Sequence, residues 1–195
     1  IMNGGVTFYR PMMYVAEYNA DGTTVNTESV VVLNPSRFTS DGITISATPR
    51  TYEDSTPAGT FTYDMGITEG NSASGVIKFA NMKELAQLAS NGQVGTDTTH
   101  GQLEFGSPNA CAQVKDRAVV IVDMCDAQNS YKMFKIDHSH IALFTEDVTL
   151  GGDDPFQVSF TVYAHPGDTT AAIVFGTTDA TKVFDPETWT MTTPE

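Results

Sequence analysis

The run DHSH, residues 137–140, is the stretch whose side chains most invite chemistry. In an extended strand His138 and His140 project to one face, and two adjacent imidazoles are the start of a metal site. A third ligand at local spacing is missing, because His100 and His165 are far away in the sequence. A pair of partly exposed histidines is the plainer reading, and no metal is expected. The turn GGDDP at 151–155 sets Asp153 beside Asp154, whereas a calcium loop needs several oxygens at regular spacing. NADGTTVNTE at 19–28 has a glycine after its aspartate but lacks the acid spacing of such a loop. Both read as turns. GNSASG at 70–75 misses the nucleophile-elbow pattern, since its second glycine follows Ser72 by three positions rather than two. No phosphate-cradling glycine motif is present either. Carboxylate pairs for glycoside hydrolysis meet only in a fold, and an acidic chain always offers candidates. With no nucleophile, base and orienting group to name together, the expectation is a protein that is not an enzyme and uses no cofactor.

The composition limits the possible partners. The chain has 195 residues and is 40% hydrophobic, enough for one packed domain over residues 1–195. Asp+Glu number 24 against Lys+Arg 10, a formal net charge of −14. Scattered cations in so acidic a chain argue against gripping nucleic-acid backbones or an anionic membrane. No apolar run approaches the ~18 residues of a membrane span, and the first residues lack the pattern of a signal peptide, so a soluble protein is expected. Cys111 and Cys125 are too few for a disulfide framework; they are either a bridge between neighbouring strands or two buried thiols of a reducing cytosol.

Strand patterns separated by Gly, Asn, Asp and Pro fill most of the chain. Two are expected within 6–18, followed by a turn at Asp21-Gly22 and a return strand at 29–33. Further strands are expected at 42–50, 61–65, 76–79, 103–105, 118–124, 131–136, 141–144, 156–164 and 171–175. Many short strands with turn punctuation predict a mainly β fold, an antiparallel sandwich or barrel. One segment differs. In NMKELAQLASNG, Met82, Leu85 and Leu88 recur at helical spacing, with Asn81 and Glu84 placed as a capping pair and Gly92 as a stop, so a short flanking helix is predicted at about 81–90. It is too short to stand alone and must lie on the sheet.

Two polar segments, 50–60 and 185–195, carry no strong folding signal. Each is either a loose loop or tail, or an arm reaching a neighbouring subunit. Trp189, the lone tryptophan, falls in the second and packs either on a neighbour or on its own sheet.

The order of elements over GTFTYDMGITEGNSASGVIKFANMKELAQLAS, residues 59–90, and SYKMFKIDHSHIALFTEDVTLGGDDPFQVSFTVYAHPG, residues 130–167, resembles phage major tail tube proteins. The resemblance implies a virion structural protein, made in the host cytoplasm, whose copies close into hexameric rings. The rings stack into a tube through which DNA passes without specific binding, in company with tape-measure, terminator and tail-tip proteins. It also implies that a long hairpin loop reaches the next ring, which puts Arg50, Thr51, Tyr52, Glu53 and Asp54 at a joint. Terminal arms would add contacts through 1–10 and through 185–195 with Trp189. Acids facing the bore would repel phosphates and let DNA slide. Two alternatives remain: a secreted or surface β-sandwich that binds a glycan or other ligand, and another virion part such as a capsid decoration protein.

Overall fold

Ile43 and Ile45 alternate with Thr44 and Ser46, and the same period of two runs through most of the chain, giving strand after strand one apolar face. The computed structural model describes residues 6–80, 82–89, 116–123, 132–147, 155–164, 172–175 and 183–192. Its strands are β1 (Val6–Phe8), β2 (Pro11–Tyr18), β3 (Val25–Leu33), β4 (Phe38–Thr56), β5 (Gly59–Lys78), β6 (Arg117–Asp123), β7 (Lys132–Leu143), β8 (Gln157–Ala164), β9 (Ala172–Phe175), β10 (Val183–Asp185) and β11 (Thr190–Thr192). A 3-10 turn, Pro35–Arg37, precedes β4, and a helix α1 (Met82–Leu88) follows β5.

The main sheet runs β1-β4-β5-β8-β7-β6-β2-β3, with antiparallel pairing at each step. β9 pairs with β7 at Lys132 to Lys135, on the edge that β8 occupies further along from Ser139. β1 lies at one end of this order and β2 near the other, yet only Tyr9 and Arg10 separate them in the chain. So short a link spans about 10 Å, so the sheet has to curl until its ends approach. The result is a half-barrel.

The inner face is apolar on nearly every strand. Phe8, Met13, Val15, Leu33, Ile43, Ile45, Val119, Ile121, Phe134, Ile136, Val158, Phe160 and Val162 form one buried cluster. Where that face crosses β7 its phase changes, from Phe134 and Ile136 to Ile141 and Leu143, across a bulge between β6 and β7. The bulge falls on the DHSH run. Gly42 (φ +67°) is needed where β4 approaches β1: a Cβ there would strike the Phe8 carbonyl oxygen.

Helix α1 closes the open side. Leu85, Leu88 and Ala89 are buried in the same cluster as the strands, while the Asn81 cap and the Met82 side chain lie outside the described residues. Glu84 engages Arg37, with Arg37 Nη2 2.7 Å from Glu84 Oε1 and Nη1 3.1 Å from Oε2. Arg37 also donates to the Lys78 and Phe79 carbonyls, so it fastens the helix start to the end of β5. The other end is held by Arg117, whose Nε donates to Gln87 O at 3.2 Å and Nη2 to Ala89 O at 3.2 Å. Carbonyls of a last helical turn lack partners within the helix, and a guanidinium meets two of them here. Arg117 is 3% exposed and 3.2 Å from Glu17; burial pushes its pKa down and the Glu17 carboxylate pulls it back up.

Several expectations need correction. Segment 50–60 is not a loop: it is paired strand closing β4 onto β5, with Thr51↔Asp64, Tyr52↔Tyr63 and Thr56↔Gly59 in register. The strands expected at 61–65 and 76–79 are parts of β5, and those at 131–136 and 141–144 are parts of β7. β3 begins at Val25, earlier than the 29–33 expected. Segment 183–192 is a hairpin, β10–β11, not an unfolded tail. The short flanking helix spans Met82–Leu88, within the 81–90 expected, residues 81 and 90 lying outside the described residues. Cys111, Cys125, His100, His165 and the strand expected at 103–105 lie outside the described residues.

The turn at Asp21-Gly22 forms as expected, with Gly22 at φ +68°. The Asp21 carboxylate accepts from Thr24 Oγ1 at 2.6 Å and from the Thr23 and Thr24 amides at 3.0 Å. These bonds, the Thr24 hydroxyl first, lower its pKa to about 2. A carboxylate depressed on folding stabilises the turn above its ordinary pKa, near 3.8, and loses that effect as pH falls through about 2. A carboxyl NMR titration is expected to place the Asp21 midpoint near 2; a midpoint near 4, the unperturbed range, would mean that the turn is open. Leu85→Asp is expected to cost about 4 kcal/mol or more, since it buries an unpaired charge. An unchanged denaturant midpoint would show that the helix is not docked.

Candidate assembly surfaces

The β4–β5 hairpin outruns its sheet. Among the described residues β5 pairs with β8 from Ser72 to Lys78, and β4 pairs with β1 from Ile43 to Ile45. Among the described residues, 47–71 therefore pair only with each other, as a two-stranded arm about 30 Å long at ~3.3 Å per residue. Register shifts around Pro49 loosen the ladder at the arm's root. Proline cannot donate to a ladder and is tolerated at such a bulge. At the tip, Thr56 Oγ1 accepts from the Ala58 amide at 3.3 Å and donates to Gly59 O at 3.1 Å.

Register sorts the arm into two faces. Tyr52 and Asp54 share one side with Phe61, which stands opposite Asp54. Glu53 and Ser55, opposite Thr62 and Thr60, share the other. Tyr52 is 55% and Phe61 48% exposed. The residues expected at a joint are thus gathered on one element. Arg50 and Thr51 belong to β4, though their side chains are outside the described set, while Tyr52, Glu53 and Asp54 follow on it in order. Phe61 on the returning strand was missed, because nothing local shows that it stands opposite Asp54.

Trp189 lies elsewhere. Its ring is 9% exposed and stacks edge-on against Phe184 at 5.1 Å, and Phe184 in turn lies 5.2 Å from Tyr14. With Ala16, Ala118, Val120, Val122 and Met133 these rings form a second buried cluster on the outer face of β2, β6 and β7. Of the two packings open to Trp189, the structure shows the one on its own sheet. Its backbone is left-handed (φ +55°), and its indole N–H is buried without an acceptor among the described residues.

The DHSH bulge gathers a polar cluster. His138 Nδ1 lies 3.3 Å from Asp116 Oδ2, and His140 Nε2 3.7 Å from Asp116 Oδ1. His138 also stacks on Tyr18, with ring centroids 4.6 Å apart. Ser139, between the histidines, donates to Arg117 O at 2.7 Å, and Lys135 lies 3.0 Å from Asp137. Asp116 was not foreseen, since only strand pairing brings it to the histidines. No group of three His, Cys, Asp or Glu among the described residues is arranged to hold a metal ion. A cleft of about 420 Å³ opens beside the cluster, between Tyr18, His138 and Trp189.

A further exposed surface is the free edge of β3. It pairs with β2 alone among the described strands, and it carries the run Val30-Val31-Val32 without proline or a basic residue to blunt it. Val32 is exposed.

No family model and no curated protein sequence matches the chain. Among solved structures it is similar to a chain of the cryo-EM structure of the anti-feeding prophage (AFP) baseplate, 6-fold symmetrised. The TM-score is 0.37 at 10% identity, over 84% of this chain and 94% of that one. At this score the likeness is one of outline, from which no activity or partner follows.

The Arg37–Glu84 pair can be weighed directly. A double-mutant cycle with Arg37→Ala and Glu84→Ala is expected to give a coupling of about 1 kcal/mol, partial burial placing it at the upper end for such pairs. Coupling within error of zero would leave the apolar face of α1 as the sole anchor of its first turn.

Proposed function

We propose that the chain is a structural subunit of a phage tail: copies close into rings, six to a ring, and the rings stack into a tube that carries DNA. The observation that carries this reading is the arm at 47–71. A two-stranded ribbon is marginal in water by itself, and this one has, among the described residues, both edges unpaired and aromatic rings exposed on one face. Such an element gains its stability by lying on something, and nothing among the described residues of its own chain covers it. The unpaired β3 edge supports the same reading. A head-to-tail ring joins two different patches of each subunit and can leave no edge open.

The acidity is compatible with this use. At −14 per copy the subunit repels phosphate, so a bore lined by some of these acids would pass DNA without holding it. The tape-measure, terminator and tail-tip partners belong to the same proposal. So do the contacts of residues 1–10 and 185–195 with neighbouring subunits.

Negative-stain electron microscopy over a concentration series tests it. Hollow tubes or stacked rings are expected. Replacing Glu53 to Thr62 by Asn-Gly keeps the Tyr52↔Tyr63 register and removes the arm's end, and is expected to leave the monomer folded while abolishing stacking. Dispersed monomers of the intact chain at every concentration would overturn the proposal.

A further inference from the structure

The β10–β11 hairpin is joined to the fold by side chains rather than by its backbone. Among the described residues it pairs with no strand of the main sheet, and its own ladder runs only from Val183↔Thr192 to Asp185↔Thr190. A two-stranded piece of this size is not stable alone in water. What seats it is the burial of Phe184, 8% exposed, and Trp189, 9%, against the outer face of β2, β6 and β7, with Met191 beside them. On one flank even this packing stops, where the cleft of about 420 Å³ opens between Trp189 and the side chains of Tyr18, Val25 and His138.

The seat is also costly to occupy. Trp189 holds φ +55°, the left-handed region that a bulky side chain seldom enters. Its indole N–H is buried with no acceptor among the described residues, although a buried donor is nearly always bonded. Both costs fall on a residue whose buried ring seats the hairpin, so part of what Trp189 gains by burial is lost through its backbone and its N–H. The main interior lies on the other face of the sheet, around Phe8, Ile121 and Phe134, and includes no residue of the hairpin. The half-barrel can therefore keep its core when the hairpin leaves.

We propose that β10–β11 is a lid, which comes away from the outer face of β2, β6 and β7 as one unit while the half-barrel stays folded. Closed, it covers an apolar strip made by Tyr14, Ala16, Val120 and Val122 and withholds it from other molecules. Open, it presents that strip, relaxes the Trp189 backbone and gives the indole N–H a water to bond. A detached hairpin unravels, so bonds made only in its folded turn hold the lid shut. Asp185 makes two of them, accepting from the Glu187 amide and from the Thr188 hydroxyl, each at 2.9 Å. Opening is a property of the single chain and does not depend on assembly.

Hydrogen exchange followed by NMR on the full chain in dilute solution tests the lid. Trp189 is the lone tryptophan, so its indole N–H gives a single resonance, and a buried N–H exchanges only when it is uncovered. The reference is the amide of Val120, fully buried in the middle of β6. The protection factor of the indole proton is expected to be about a hundredfold or more below that of the Val120 amide, as for a local opening beside a stable core. Asp185→Ala is expected to lower the indole protection a further fivefold or so, leave Val120 unchanged and raise the binding of anilinonaphthalene sulfonate, a dye that marks exposed apolar surface. Equal protection of the two protons would mean that the hairpin leaves only when the domain unfolds, and would overturn the lid. So would an Asp185→Ala chain in which both protections fall together, neither moves, or the dye signal stays flat.

Discussion

A curled sheet has an open side, and the structure depends on how that side is closed. Phe8, Met13, Ile43, Ile121, Phe134 and Phe160 present a continuous apolar interior that strands alone do not seal. The closure is the seven-residue helix α1, too short to be stable by itself. Leu85 and Leu88 contribute about 1.5–3 kcal/mol each by burial. That gain requires the helix to stay in position, which Arg37 and Arg117 bring about from its two ends. Arg117 is the more constrained, because an almost wholly buried guanidinium must spend its donors on Gln87, Ala89 and Glu17 to be tolerated at all.

The two arginines connect regions that the topology keeps apart. Arg37 sits just before β4 and bonds to the carbonyls that end β5, and so fixes the root from which the arm projects. Arg117 opens β6, and its own carbonyl accepts from Ser139 at the bulge that turns β7. The bulge keeps the apolar phase of β7 directed inward on both sides of DHSH, while leaving His138 and His140 at Asp116. Polar contacts that look peripheral thus set the strand phases on which the interior packing depends.

Much of the fold was legible because period-two alternation and turn residues are local signals. The strands at 6–18, 118–124 and 156–164, the Asp21-Gly22 turn and the Leu85/Leu88 face of the helix were all visible in that way. The mainly β, antiparallel fold was foreseen with sandwich and barrel both open, and the half-barrel follows from pairing order and from the shortness of the Tyr9–Arg10 link. Segment 50–60 read as a loop because YEDSTPAGT is polar; its strand character comes from the partner Phe61-Thr62-Tyr63, which supplies the ladder. The C-terminal hairpin was hidden for a related reason. Phe184 and Trp189 are apolar positions too widely spaced for a strand pattern, and they pair only after Asp185 closes the turn by accepting from the Glu187 amide and the Thr188 hydroxyl. The places of Asp116 and Phe61 were invisible, because only tertiary registry gives them neighbours.

The acidity and the adhesive surfaces have to be considered together. At −14 per copy, charge opposes bringing copies close, and at physiological ionic strength that opposition fades beyond about 8 Å. Contact must then be decided at short range, by apolar burial and backbone pairing. The surfaces suited to this are small and separated: an aromatic face on the arm, a valine run on the β3 edge and a ring held out at Phe79. A subunit with one large sticky face would aggregate in any orientation, whereas net repulsion with a few short-range patches rejects every approach that does not engage several of them at once. On that argument the excess of carboxylates would make ordered association, in the assembly proposed above, the form in which enough patches meet to outweigh the charge.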